Sequence, residues 1–200
     1  MNNKAVFNAL GRILVLLAFT MLVPLLVALY YHEPLKPFIV SILITLLAGL
    51  LLTRIKSSVE WQQKEALAIV ALTWLSAAIF GAIPFLFEGI SFIDAVFETM
   101  SGFTSTGSSI LVDIEALSRS LLFWRSFNSW LGGMGIIVLF IAILPKLGVA
   151  GRQLFRAEAP GPTEDKLKPR IKDTAKILWA LYIVISAFEI VALDLAGMSL

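Results

Sequence analysis

Residues Ser101 to Ser109 read S-G-F-T-S-T-G-S-S. The stretch lies between two apolar segments, Ala66 to Phe87 and Leu121 to Leu144, each of a length that crosses a bilayer. It is too rich in Ser, Thr and Gly to face lipid. Non-helical backbone at membrane depth survives only where protein buries it or water lines it. The stretch before it, Ser91 to Gly102, repeats apolar residues at helical spacing (Phe92, Ala95, Val96, Thr99, Phe103). Ser91 followed by Asp94 fits a cap opening that helix. The order is therefore helix, short helix, polar loop, helix. That is the plan of a pore loop, in which backbone carbonyls replace an ion's hydration shell. The competing reading of such a cluster is an ordinary surface loop.

Composition supports a membrane protein. Of 200 residues 58% are hydrophobic, against roughly 45–50% in a soluble domain, and the mean hydropathy is +0.89. Cysteine is absent and histidine occurs once, as His32. That excludes a disulfide framework, a thiol nucleophile and a zinc site built on Cys or His. An intramembrane hydrolase using a serine of the S-G-F-T-S run lacks a base, because His32 sits in an outer connection. His32 itself reads as an ordinary loop residue.

The remaining chain supplies the other spans. Met1 to Leu10 reads as a polar tail. Leu10 to Tyr31 is the first apolar run, kinked by Pro24. It is too long for a signal-peptide core and ends in no small-residue cleavage site. Phe38 to Thr53 is the second run, and Arg54 to Glu65 is a polar, interfacial segment. Ala66 to Phe87 and Leu121 to Leu144 are the third and fourth. Ile177 to Ala196 is the fifth, after the polar stretch Pro145 to Lys176. The fold class is an all-α integral membrane protein: a helix–pore loop–helix repeat preceded by a two-helix extension. The divisions are 1–65 (extension and interfacial segment), 66–144 (first repeat), 145–176 (linker) and 177–200 (start of a second, incomplete repeat).

Charge sets the orientation. Segments 1–12, 54–65 and 145–176 hold thirteen Lys and Arg, and the opposite connections hold Lys36 and Arg119. Basic residues stay in the cytoplasm. The N-terminus is therefore cytoplasmic, and the pore loop enters from an outer face bearing Glu33, Glu88, Asp113 and Glu115. An acidic vestibule concentrates cations. No nucleic-acid partner is expected.

Candidate ion-binding residues are Thr104, Ser105, Thr106, Gly107 and Ser108, with a monovalent cation held at Ser105, Thr106 and Gly107. Gly107 is the pivot, because a residue without Cβ reaches dihedrals closed to others. The short helix points its C-terminus, with free carbonyls and partial negative charge, toward the cation. Neutral oxygens suit a monovalent cation; calcium asks for a carboxylate cluster. Glu98 and Arg125 are intramembrane charges, read either as a buried pair bracing the loop or as Arg125 reaching the interface while Glu98 faces water. Gly132, Gly133 and Gly135 serve either close helix packing or a hinge.

The run F-E-T-M-S-G-F-T-S-T-G, Phe97 to Gly107, resembles the first pore loop of the Trk/Ktr/HKT superfamily of cation transporters. The runs G-R-Q-L-F-R-A-E-A-P-G-P (Gly151 to Pro162) and K-L-K-P-R-I-K-D-T-A-K-I-L-W (Lys166 to Trp179) resemble the first cytoplasmic linker of its TrkH/TrkG-type members. The similarity runs over essentially the whole chain. It implies potassium uptake across the bacterial inner membrane, with Gly107 as a filter glycine that favours potassium over sodium. It implies four repeats around one pore, a homodimer, and a cytosolic nucleotide-binding regulatory subunit, for which Arg152 and Arg156 are candidate docking residues. No cofactor is expected beyond the transported ion. Members are more than twice as long, so the chain reads as a fragment, a truncated product or half of a split gene. The rivals are a secondary transporter with discontinuous helices and a non-conducting structural fragment.

Overall fold

The computed structural model describes residues 2–55, 63–143 and 171–197. Every regular element among them is helical: α1 (Asn3–Thr20), α2 (Leu22–Tyr30), α3 (Lys36–Thr53), α4 (Gln63–Gly81), a 3-10 segment (Ile83–Glu88), α5 (Phe92–Phe103), α6 (Arg119–Ile143) and α7 (Ile171–Leu195). Among the described residues, four spans are long and apolar enough to cross a membrane: Asn3–Tyr30, Lys36–Thr53, Leu67–Glu88 and Lys176–Leu195. The fourth expected span, Leu121 to Leu144, corresponds to the 25-residue helix α6. Within it Asn128 is buried.

Residues Met1–Gly133 make one compact unit and Met134–Leu200 a second. In the second, α7 carries the Lys176–Leu195 span. The first holds the extension and the pore loop.

Residues 3–10 are helix, not tail. Asn2 caps α1 through its side chain, Ala5 is buried, and Val6, Ala9 and Leu10 are buried with Ile69 of α4. Polar Asn3, Lys4 and Asn8 hide this stripe from a reading by composition. The pair α1–α2 breaks at Met21, three residues before Pro24. Pro24 has no N–H to give the Thr20 carbonyl, and its ring crowds that group.

α1 and α3 cross with their backbones in contact. A Cβ on Gly11 would lie 2.7 Å from the Gly49 carbonyl oxygen, and one on Gly49 2.9 Å from that of Gly11. Small residues allow such approach in a membrane, where packing replaces the hydrophobic drive. Nearby, the Asn8 amide donates to the carbonyls of Thr53 and Ile55 at 2.9 and 3.1 Å, closing the free end of α3.

The third span changes form before its end. α4 stops at Gly81, and Ile83–Glu88 continues as 3-10 helix with Gly89 left-handed at its cap (φ +79°). Pro84 cannot donate, and Phe85 turns to the Ala82 carbonyl. That frees the Gly81 carbonyl, which accepts the Trp124 indole N–H at 2.9 Å. Trp124 is fully buried and belongs to the main core with Phe38, Phe85, Ala95 and Phe103. The extension and the repeat thus share one core.

Candidate functional site

α5 begins as expected. Ser91 Oγ accepts the Asp94 N–H and donates to the Asp94 carboxylate at 2.7 Å. Its buried face is Ala95, Glu98, Thr99, Ser101 and Phe103, whereas Phe92 is exposed. Gly81 lets α4 lie against this face: a Cβ there would meet the Thr99 methyl at 2.8 Å. Gly102 does the same toward α6, where a Cβ would stand 3.3 Å from that of Asn128.

The helix ends in a Schellman motif. Thr106 N–H bonds the Ser101 carbonyl at 3.0 Å, Ser105 N–H that of Gly102 at 2.9 Å, and Ser105 takes the left-handed position (φ +53°). Glycine is usual there. Ser105 holds it with its hydroxyl donating to the Ser129 carbonyl of α6 at 3.3 Å. This corrects the expectation of a free helix end. The Ser101 and Gly102 carbonyls are occupied, and that of Phe103 lies against Gly132.

Beyond the motif the backbone is irregular and exposed from Thr104 to Ile110. Gly107 has φ +77° with nothing within 4 Å of a Cβ built on it. Conformation, not space, requires glycine at this point. The Thr104 hydroxyl donates to the Met100 carbonyl and pairs with the Thr106 hydroxyl at 2.7 Å. The Ser108 carbonyl accepts the Ser101 hydroxyl at 2.6 Å, so it is tied to the helix. Among the described residues, no donor reaches the carbonyls of Ser105, Thr106 or Gly107.

Glu98 anchors the returning strand of the loop. Its side chain is 1% exposed and pairs with the Arg125 Nε at 2.5 Å. It also accepts the Ser109 hydroxyl at 3.0 Å and the Ile110 N–H at 3.1 Å. One carboxylate thus joins α5, the loop and α6. Ser101 and Ser109 were not singled out from sequence; their one signal is that polar residues flank the S-T-G core.

Gly132 provides a further α5–α6 contact. A Cβ there would overlap the Phe103 carbonyl oxygen. α6 runs through Gly132, Gly133 and Gly135 without a break. Arg152 and Arg156 lie outside the described residues.

At the opposite end of α6, Glu33 accepts the N–H groups of Arg119 and Ser120 at 2.8 and 2.9 Å. Burial raises its carboxyl, but the bonds from Ser120 and Arg119 and the Arg119 charge outweigh this and hold it below the ordinary range. The Arg119 guanidinium lies over the Tyr31 ring, 4.7 Å from its centroid. The partners are 86 and 87 residues apart in sequence, so no local pattern reveals them.

The all-helical described residues, with four helices of membrane-spanning length and hydropathy among them, define an all-α integral membrane protein. The chain belongs to the TrkH family of cation transport proteins, whose family model matches residues 35–196. It is 41% identical to the Trk system potassium uptake protein TrkH of Escherichia coli, over 99% of this chain and 42% of that protein. It is 40% identical to TrkH of Vibrio parahaemolyticus, over 100% and 42%. It is 36% identical to TrkG of Escherichia coli, over 98% and 42%. The chain therefore spans about two fifths of the length of these relatives.

Proposed function

We propose that this chain forms the extension, first pore-loop repeat and start of the second repeat of the membrane subunit of a potassium uptake system. The names of the relatives support potassium as cargo. The carrying observation is the loop itself: the carbonyls of Ser105, Thr106 and Gly107 are uncommitted, whereas those of Ser101, Gly102 and Ser108 are bound. Carbonyls held this way replace water around a monovalent cation. Thr104 and Ser108 frame the site, and Glu98 with Arg125 braces it. One loop supplies a fraction of a coordination shell, and further repeats of a longer protein complete the ring. The 66–144 and 145–176 divisions are part of this reading, as is an inner membrane with the N-terminus cytoplasmic.

Gly107→Ser in the full-length protein is the test. The variant folds, because the added atoms enter open space. A serine held in the left-handed conformation costs about 1 kcal/mol, so the backbone relaxes away from it and the carbonyl aim changes. Uptake of potassium relative to sodium is expected to fall several-fold at normal expression. An unchanged ratio removes Gly107 from the ion path.

The reading includes a homodimer and a cytosolic nucleotide-binding regulator that grips the linker. Arg152→Glu with Arg156→Glu is expected to weaken co-purification of that regulator and its control of flux, with ion preference unchanged. Normal co-purification and regulation would leave the linker's charge as a topology signal.

A further inference from the structure

The turn between α2 and α3 is built to aim one side chain. α2 ends in a Schellman motif: His32 N–H bonds the Leu29 carbonyl at 3.3 Å and Glu33 N–H that of Ala28 at 2.9 Å. His32, in the turn as expected, takes the left-handed position (φ +56°). It and Ser105 are the two non-glycine residues with positive φ among those described. Pro34 follows and stops the helix from continuing.

Glu33 leaves this motif with both carboxylate oxygens on the first two N–H groups of α6. A helix starts with N–H groups that lack intrahelical partners, and a carboxylate there also meets the positive end of the helix dipole. Such caps ordinarily come from the residue just before the helix. Here that residue is Ser118, whose carbonyl accepts Leu121 and Leu122 N–H. The charged cap comes instead from the extension.

The helix so capped carries the contacts that hold the pore loop. Trp124 bonds Gly81, Arg125 pairs with Glu98, the Ser129 carbonyl receives Ser105, and Gly132 receives Phe103. Arg125 is under two turns from the capped end. A shift of α6 along its axis moves all four contacts together.

We propose that Glu33 is a positioning residue for the ion path, fixing α6 from outside the repeat so that Arg125 meets Glu98 in the register the loop requires. The extension is then a working part of the pore repeat. The inference rests on the proposed transport of potassium. The selectivity of the wild type tests that reading, and the change between wild type and variants tests Glu33.

The experiment compares Glu33→Ala, the same change combined with Ser118→Asp, and Glu33→Gln in the full-length protein. The readouts are thermal midpoint, amide hydrogen exchange over residues 119–129, and rubidium uptake with and without competing sodium. Glu33→Ala is expected to speed exchange in α6 and lower discrimination against sodium several-fold. Ser118→Asp restores a cap from within the repeat but no link to the extension. It is expected to recover the thermal midpoint while discrimination stays low. Glu33→Gln keeps an acceptor, carries the same test if Glu33→Ala does not fold, and should give a smaller shift in the same direction. Recovery of discrimination by Ser118→Asp would reduce Glu33 to a cap and overturn the proposal. So would wild-type discrimination in a folded Glu33→Ala or Glu33→Gln protein.

Discussion

Glu98→Ala is expected to be the most damaging single change in the described part of the chain. The carboxylate is nearly fully buried and has three partners: Arg125 Nε, the Ser109 hydroxyl and the Ile110 N–H. Removing one member of a buried ion pair costs about 3–5 kcal/mol, because the other charge is left without compensation. The Arg125 side chain is 25% exposed, so water recovers part of that loss and the lower end applies. The effect reaches the loop directly, since Ile110 and Ser109 lose their tether. Thermal midpoint and cation uptake should therefore fall together. A double-mutant cycle with Arg125→Met should show coupling of about 1 kcal/mol or more, as for residues sharing a network. Additive effects would mean that the pair holds nothing together.

Gly132→Ala should come next, by a different mechanism. The new methyl would overlap the Phe103 carbonyl, with the Phe103 Cα 2.8 Å away. These are backbone atoms, which cannot swing aside as a side chain does. Overpacking of this kind costs about 1–3 kcal/mol. Either α6 moves off α5, or the turn of α5 that leads into Thr104 is displaced. Reduced yield, a lower thermal midpoint and altered ion preference in the surviving protein are expected. A folded Gly132→Ala protein with wild-type uptake would contradict this packing. Gly107→Ser is the contrast: open space at one glycine and backbone at the other separate a change in ion preference from a change in folding.

Local chemistry made much of this legible in advance. The Ser91 cap, the short helix and the left-handed Gly107 each follow from nearby residues. The charges of Glu98 and Arg125 stood out because intramembrane charges are costly. Contacts distant in sequence were not legible. Glu33 reaches a helix 86 residues on, and Trp124 fills the Gly81 carbonyl, 43 residues earlier, that Phe85 leaves free. The helical start at Asn3 depends on Ile69 and the cap from Asn2. Two left-handed positions escaped notice because they are held by His32 and Ser105, where glycine would have marked them.

The central claim is that the Ser105, Thr106 and Gly107 carbonyls hold the transported cation. Anomalous diffraction from crystals of the full-length protein grown with rubidium, an X-ray-visible substitute for potassium, tests it most directly. A rubidium peak is expected in direct contact with those carbonyl oxygens, lost when sodium replaces rubidium. A rubidium peak elsewhere in the pore, with none against residues 105–107, would contradict it.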